Sequence, residues 1–192
     1  RAWERAIRRA QLPLAYTQGF NPQPRMQFAA ALPVGFTGQA EVADIFLNAE
    51  LPVHEFLRRL SEALPPGIRP AAAEPVSREL PSLQSQVTGA DYKVEVEIDD
   101  SEDTFSSRLA QFMARTEAWR VRRKGKDVSS YDLRPLVQSL VYRGATSYGH
   151  CFDVTMRAEP GATGRPDELL AELGYESAPR RISRLALIFL EP

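Results

Sequence analysis

The chain has 192 residues, 43% of them hydrophobic, and its 24 Lys and Arg against 25 Asp and Glu leave a net charge of −1. That size suits one domain or two small ones with a real core, and the balanced charge excludes a polycation, so any nucleic-acid footprint must be a local patch. The single cysteine, Cys151, excludes an internal disulfide framework and a three-cysteine iron–sulfur site; no apolar run approaches the roughly 18 residues of a membrane span, and a reducing, cytoplasmic setting fits.

The opening segment RAWERAIRRAQL reads as a helix, with Trp3, Ala6, Ile7 and Ala10 as an apolar stripe and Arg1, Glu4, Arg5 and Arg8 on the polar side. No Ser, Thr, Asp or Asn precedes it as a cap, so a strand and a cap are expected ahead of it. Leu12 to Gly35 follows as helix exit, loop and apolar strand. In the loop Gln18-Gly19-Phe20-Asn21-Pro22-Gln23-Pro24-Arg25, glycine permits a positive φ, and each proline fixes its own φ and pushes its predecessor towards extended backbone. Such a loop has little freedom to lose and can hold Gln18, Asn21, Gln23 and Arg25 in place, with Phe20 as an anchor or a stacking face. The plainer reading is a well-made turn.

Met26 to Leu32 reads as a strand, Gly35 to Gly38 as a turn, and Ala40 to Leu47 as a second strand burying Val42, Ile45 and Leu47. Pro52 starts a helix carrying Val53, Phe56, Leu57, Leu60 and Leu64, which Pro65-Pro66-Gly67 stops. Ile68 to Val76 is at best a proline-bearing edge strand. Ser77 to Gly89 is polar and lacks a period. Tyr92 to Ile98 then alternates as a strand, Ser101 caps a helix with Phe105, Leu109, Phe112 and Met113 on one face, and Trp119 to Arg123 and Tyr131 to Tyr142 supply strand material. Cys151 to Ala158 alternates again, Pro166 starts a short helix that Gly174 ends, and Arg184 to Leu190 closes as a strand. The expected fold class is α+β: two tandem ferredoxin-like (βαββαβ) units, the first lacking its opening strand. The units are placed at 1–82 and 90–192, with 83–89 as linker.

The densest charge is Arg120, Arg122, Arg123, Lys124 and Lys126, five cations in seven residues, beside Trp119 and ahead of Tyr131. The pattern suits a phosphate-tracking hairpin with stacking residues nearby; it also suits a solvated hairpin whose cations blunt a sheet edge. Asp132 and Arg134 could make a pair that merely holds this hairpin. Arg180, Arg181 and Arg184 lead into the last strand and extend the basic surface if they share its face. His150-Cys151 and His54 read as structural, because no base, second ligand or zincin spacing accompanies them. Gly161 to Gly164 lacks the residues of a phosphate loop, and the acids around Ser101 belong to a helix N-terminus. Neither a metal nor a cofactor is implied.

The stretch RAIRRAQLPLAYTQGFNPQPRMQFAAALPVG resembles the bacterial radical-SAM-linked proteins, found adjacent or fused to cobalamin-binding-type radical SAM proteins. The segments RRKGKDVSSYDLRPLV and RISRLALIF are similar to that family's distal half. Members of that family begin with a strand before a Ser-His-Leu-Asp helix start and often carry His between the two loop prolines, where this chain has Gln23. The resemblance implies a partner, a radical SAM protein, and a substrate for which RNA, such as tRNA or rRNA, is the candidate. Three readings follow. The first is a non-catalytic accessory that presents RNA on a basic face. The second is a protein-interaction module that docks the radical SAM partner without nucleic acid, which predicts an exposed apolar patch or open sheet edge. The third, by analogy of fold with repeat-processing CRISPR proteins, is an endoribonuclease, for which no general base stands out.

Overall fold

Two runs of hydrophobic periodicity build two separate cores in the computed structural model, which describes residues 2–77, 79–125, 127–159 and 161–190; Arg1 and Lys126 lie outside the described residues. In chain order the elements are α1 (Ala2–Arg9), β1 (Met26–Phe28), β2 (Phe36–Gly38), β3 (Ala43–Ile45), α2 (Val53–Ala63), β4 (Val87–Val96), α3 (Glu102–Ala114), β5 (Trp119–Lys124), β6 (Asp127–Asp132), β7 (Val137–Ala145), β8 (His150–Glu159), β9 (Ala162–Thr163), α4 (Pro166–Glu172) and β10 (Arg180–Phe189). The class is α+β. The first unit comprises Arg1–Phe28 and Ala43–Leu83, the second Ala29–Val42 and Gln84–Pro192.

In the first unit the α1 stripe is buried as its spacing predicts. Ile7 and Ala10 pack with Leu12, Leu14, Leu60 and Ala63, and Trp3 meets Phe28 edge-on at 5.8 Å. The Arg9 guanidinium donates to the Ala63 carbonyl at the end of α2, where the helix leaves carbonyls without intrahelical partners. Strands β1 and β3 pair antiparallel with Met26 opposite Ile45 and Phe28 opposite Ala43. Each is three residues long, shorter than predicted, because the intervening chain leaves for the other unit; Val42 is exposed there rather than buried. The edge strand expected over Ile68 to Val76 does not form. Pro70 and Pro75 each remove a ladder donor.

The second unit is built on a sheet of order β2-β10-β4-β8-β7, with β9 folding back on β8. Its long neighbours are all antiparallel. With α3 and α4 on the connections, β4-α3-β7-β8-α4-β10 is a βαββαβ order compatible with the ferredoxin-like expectation. Alternation places Val94, Val96, Phe152, Val154 and Met156 against the helices, where Phe105, Leu109, Phe112, Leu169 and Leu170 are buried. Ser101 caps α3 by accepting from the Thr104 backbone N–H at 3.3 Å. Several details differ from the sequence reading, among them a 3-10 turn over Arg134–Leu136 that splits the strand expected from Tyr131 to Tyr142 into β6 and β7. Strand β4 starts at Val87, inside the expected linker. Strand β10 starts at Arg180, not Arg184. The expected turn over Gly35 to Gly38 contains β2, which pairs parallel with β10, Phe36 opposite Ile182; that partner lies far along the chain, so no local pattern shows it. No helix among the described residues is long and apolar enough to cross a membrane.

Candidate functional site

The cation-rich segment forms a two-stranded ribbon separate from the main sheet, β5 paired with β6 in the register Trp119↔Asp132, Val121↔Ser130 and Lys124↔Asp127. Gly125, at φ 61°, makes its turn. Period two puts Arg120 and Arg122 on one face of β5 and Trp119 and Val121 on the other. On the inner face Arg122 makes a forked contact with Glu168 (2.9 and 3.0 Å) and lies over the Tyr131 ring at 4.5 Å. Arg120 donates to Glu172 at 2.8 Å, and Arg115, from beyond the end of α3, takes the other oxygen of Glu172 at 2.7 Å. Burial pulls the Arg122 pKa down, but the Glu168 carboxylate outweighs it and the net shift is upward. The outer face carries Trp119 at 63%, Val121 at 63% and Val128 at 62% exposure. The Trp119 indole N–H donates to Glu117 at 2.8 Å. The side chains of Arg123 and Lys124 are not among those described.

Asp132 and Arg134 hold the ribbon without pairing to each other. Asp132 Oδ1 accepts from the backbone N–H of Ala118 at 2.7 Å and of Arg134 at 3.0 Å, while the Arg134 guanidinium donates to the carbonyls of Met113 and Val137, both at 2.9 Å.

The three C-terminal arginines do not act together. Arg184 is 3% exposed. It is ion-paired with Glu41 and donates to the carbonyls of Ala30 at 3.0 Å and Ala31 at 3.2 Å. Burial works to lower its pKa, but the Glu41 carboxylate and the Tyr92 hydroxyl together outweigh it and the net shift is upward, so the buried group stays charged. It pins the 29–42 segment to the sheet and is no surface cation. Arg180 folds back onto the Glu176 carbonyl at 2.8 Å. Arg181 is exposed, with its guanidinium 3.9 Å from the Tyr148 ring centroid.

In the first unit the predicted loop is closed at its neck. The Thr17 N–H donates to the Gln23 carbonyl and the Gln23 N–H to Thr17 Oγ1, both at 2.9 Å; Tyr16 bridges to Pro24. Pro24 is buried, whereas Gln18, Gly19, Phe20, Asn21, Pro22, Gln23 and Arg25 are exposed. Arg25 lies over the Phe46 ring at 4.6 Å.

His150 and Cys151 are both buried. The Asp100 carbonyl can only accept, so His150 Nε2, 2.8 Å away, carries a hydrogen; Nδ1 faces the Tyr142 hydroxyl at 2.7 Å. Burial pushes the Cys151 thiol above its ordinary range, which makes it a poor nucleophile. His54 is exposed on α2. Among the described residues no group of three His, Cys, Asp or Glu is placed to hold a metal ion. A shallow depression of roughly 690 Å³ beside α3 is lined by Asp103, Arg108, Arg115 and Glu172, which is too polar for a usual small-molecule site.

Residues 1–166 match a family described as an uncharacterized protein conserved in bacteria, DUF2344. The chain belongs to that family. No curated protein matches the sequence. Among solved structures, a crystal structure of a Cbf5-Nop10-Gar1 complex is similar at 15% identity and a TM-score of 0.37, over 55% of this chain and 32% of that one. The DUF2344 match ends where α4 begins, at Pro166, so Glu168 and Glu172 lie beyond it. Those two acids are what the sequence reading missed. Their i, i+4 spacing opposite Leu169, Leu170 and Leu173 marks an acidic helix face, and such a face is a natural partner for every second residue of a cationic strand.

Proposed function

We propose that this chain is a non-catalytic accessory module that docks a larger enzyme, the radical SAM protein its family resemblance implies, through the outer face of the β5–β6 ribbon. The observation that carries this reading is the sorting of the ribbon: Arg120 and Arg122 are spent on Glu172 and Glu168 while Trp119, Val121 and Val128 face solvent. Among the described side chains of the ribbon the cations are engaged with acids and the apolar residues are exposed, whereas phosphate binding calls for free cations. Exposed large apolar side chains on one face of a ribbon fit a protein surface, with Trp as the usual anchor of such contacts. The edge strand β7, which ends the sheet, adds unpaired backbone groups that a partner strand can meet.

The test is co-purification of the tagged chain with a radical SAM protein of the cobalamin-binding type that the resemblance implies. The complex is expected to survive nuclease and high salt, and Val121→Asp with Val128→Asp to weaken it at least about 10-fold. Dissociation by nuclease would instead favour RNA as the link. That second reading draws on exposed Trp119 and on Arg181 over Tyr148, and it requires affinity that falls steeply with salt.

A further inference from the structure

The first unit carries an aromatic side chain for which its own fold has no use. Phe20 is fully exposed at the tip of the 17–23 loop. An exposed Phe on a floppy segment would mean little, but this segment is tied. The reciprocal Thr17–Gln23 hydrogen bonds close the neck. Below it the Arg25 N–H donates to Ala15 at 2.8 Å and the Ala15 N–H to Phe46 at 2.8 Å, which fixes the loop to backbone beside the buried side chains of Leu14 and Ala15. Gly19 takes φ 137°, a conformation open to glycine and few others, and Pro22 fixes the descending limb. Ordering such a loop on binding costs little entropy, the condition under which an exposed side chain serves as an anchor.

The tip also states what it meets. From Gln18 to Gln23 it carries no formal charge, only exposed amides around one ring, and the next cation along the chain, Arg25, is engaged with Phe46 on the neck. Single-stranded nucleic acid is held by stacking together with a positive groove, and the tip supplies only the first. The two depressions of this chain beside α3 and between α1 and α2 are lined by charged residues such as Asp103, Arg115, Arg9 and Glu62 and give such a ring no apolar seat. We infer that the 17–23 loop is a preformed plug that seats Phe20 in an apolar socket of a different protein, with the amides of Gln18, Asn21 and Gln23 meeting hydrogen-bonding groups on the rim.

The identity of the probe rests on the docking reading above: the radical SAM protein used in that co-purification. Its affinity is measured for wild type, Phe20→Ala, Phe20→Leu and Val121→Asp. Phe20→Ala is expected to weaken binding at least about 10-fold, and Phe20→Leu, which keeps apolar volume and loses the ring face, to retain most of it. Equal affinity of Phe20→Ala and wild type, with Val121→Asp weakened, overturns the plug and leaves the ribbon reading standing. No binding by wild type overturns both. Two further arms use other probes. Binding of an oligouridylate that Phe20→Ala and Phe20→Leu abolish alike makes the loop a base-stacking element and overturns the socket. Concentration-dependent dimerisation of wild type that Phe20→Ala abolishes assigns the socket to a second copy and overturns the foreign partner.

Discussion

Tyr175 shows how one side chain makes this fold sensitive to pH. Its hydroxyl donates to Asp100 Oδ2 at 2.5 Å, its ring packs against Phe105, and Arg108 lies over its other surface at 5.5 Å. Burial first, and then the carboxylate that a phenolate could not donate to, push its pKa from 10.0 up to about 12. The folded state therefore keeps a proton that the unfolded chain releases, so the stabilisation is complete below pH 10 and is lost as the pH rises towards 12. Its slope is at most about 1.4 kcal/mol per pH unit, and less here because the ring is half-buried and water screens the pair. Tyr92, Tyr131 and Tyr142 are raised too, each chiefly by burial, so the informative quantity is a difference. Between pH 10 and 12, unfolding free energy should fall more steeply for wild type than for Tyr175→Phe in denaturant titrations. Parallel slopes would show that Tyr175 ionises no differently in the folded state.

At the scale of the element, the β5–β6 ribbon has no sheet neighbour and is held to α4 largely by charge. Glu172 is the hub, 19% exposed, serving Arg115 and Arg120 through its two oxygens. Ion pairs of this exposure contribute about 0.2–1 kcal/mol each, which is small against global stability but comparable to the cost of opening a two-stranded ribbon. Glu172→Gln is therefore expected to speed amide exchange in β5 and β6 by roughly 3- to 10-fold while the amides of β4 and β8 keep their protection. Uniform acceleration across the unit would mean that the ribbon and the sheet open together, and uniform silence that the ion pairs contribute nothing. The ribbon also marks where the sequence was legible and where it was not. Hairpin, turn and cation cluster could be read locally, because WRVRRK and the glycine after it are contiguous. Which cations were free could not, because Glu168 and Glu172 arrive from an element more than 40 residues later, with Arg122 and Glu168 46 apart.

The same limit governs the molecule as a whole. Stripes and alternations that satisfy themselves nearby, such as Ile7 with Ala10 or Tyr92 with Val94, could be assigned from spacing; the exchange of residues 29–42 into the second unit could not, since its partners are Ser183 and Arg184. The exchange has a consequence for dissection. A cut at the boundary near residue 83 leaves residues 84–192 without β2 and exposes the edge of β10. It also leaves the Arg184 guanidinium without Glu41 and the Ala30 and Ala31 carbonyls. Stranding one partner of a buried ion pair costs about 3–5 kcal/mol, and somewhat less here because the Glu41 side chain is 30% exposed. For a unit of this size the fragment should melt roughly 10 °C or more below its midpoint in the full chain. A peptide spanning residues 29–42 should raise that midpoint in proportion to the logarithm of its concentration once it exceeds its dissociation constant. Arg184→Met within the fragment should recover part of the loss without peptide, because the stranded charge and not the missing strand alone is at fault. A fragment that melts as the full chain does, indifferent to peptide and to Arg184→Met, would show that β2 is an ornament on the sheet and that Arg184 finds water instead.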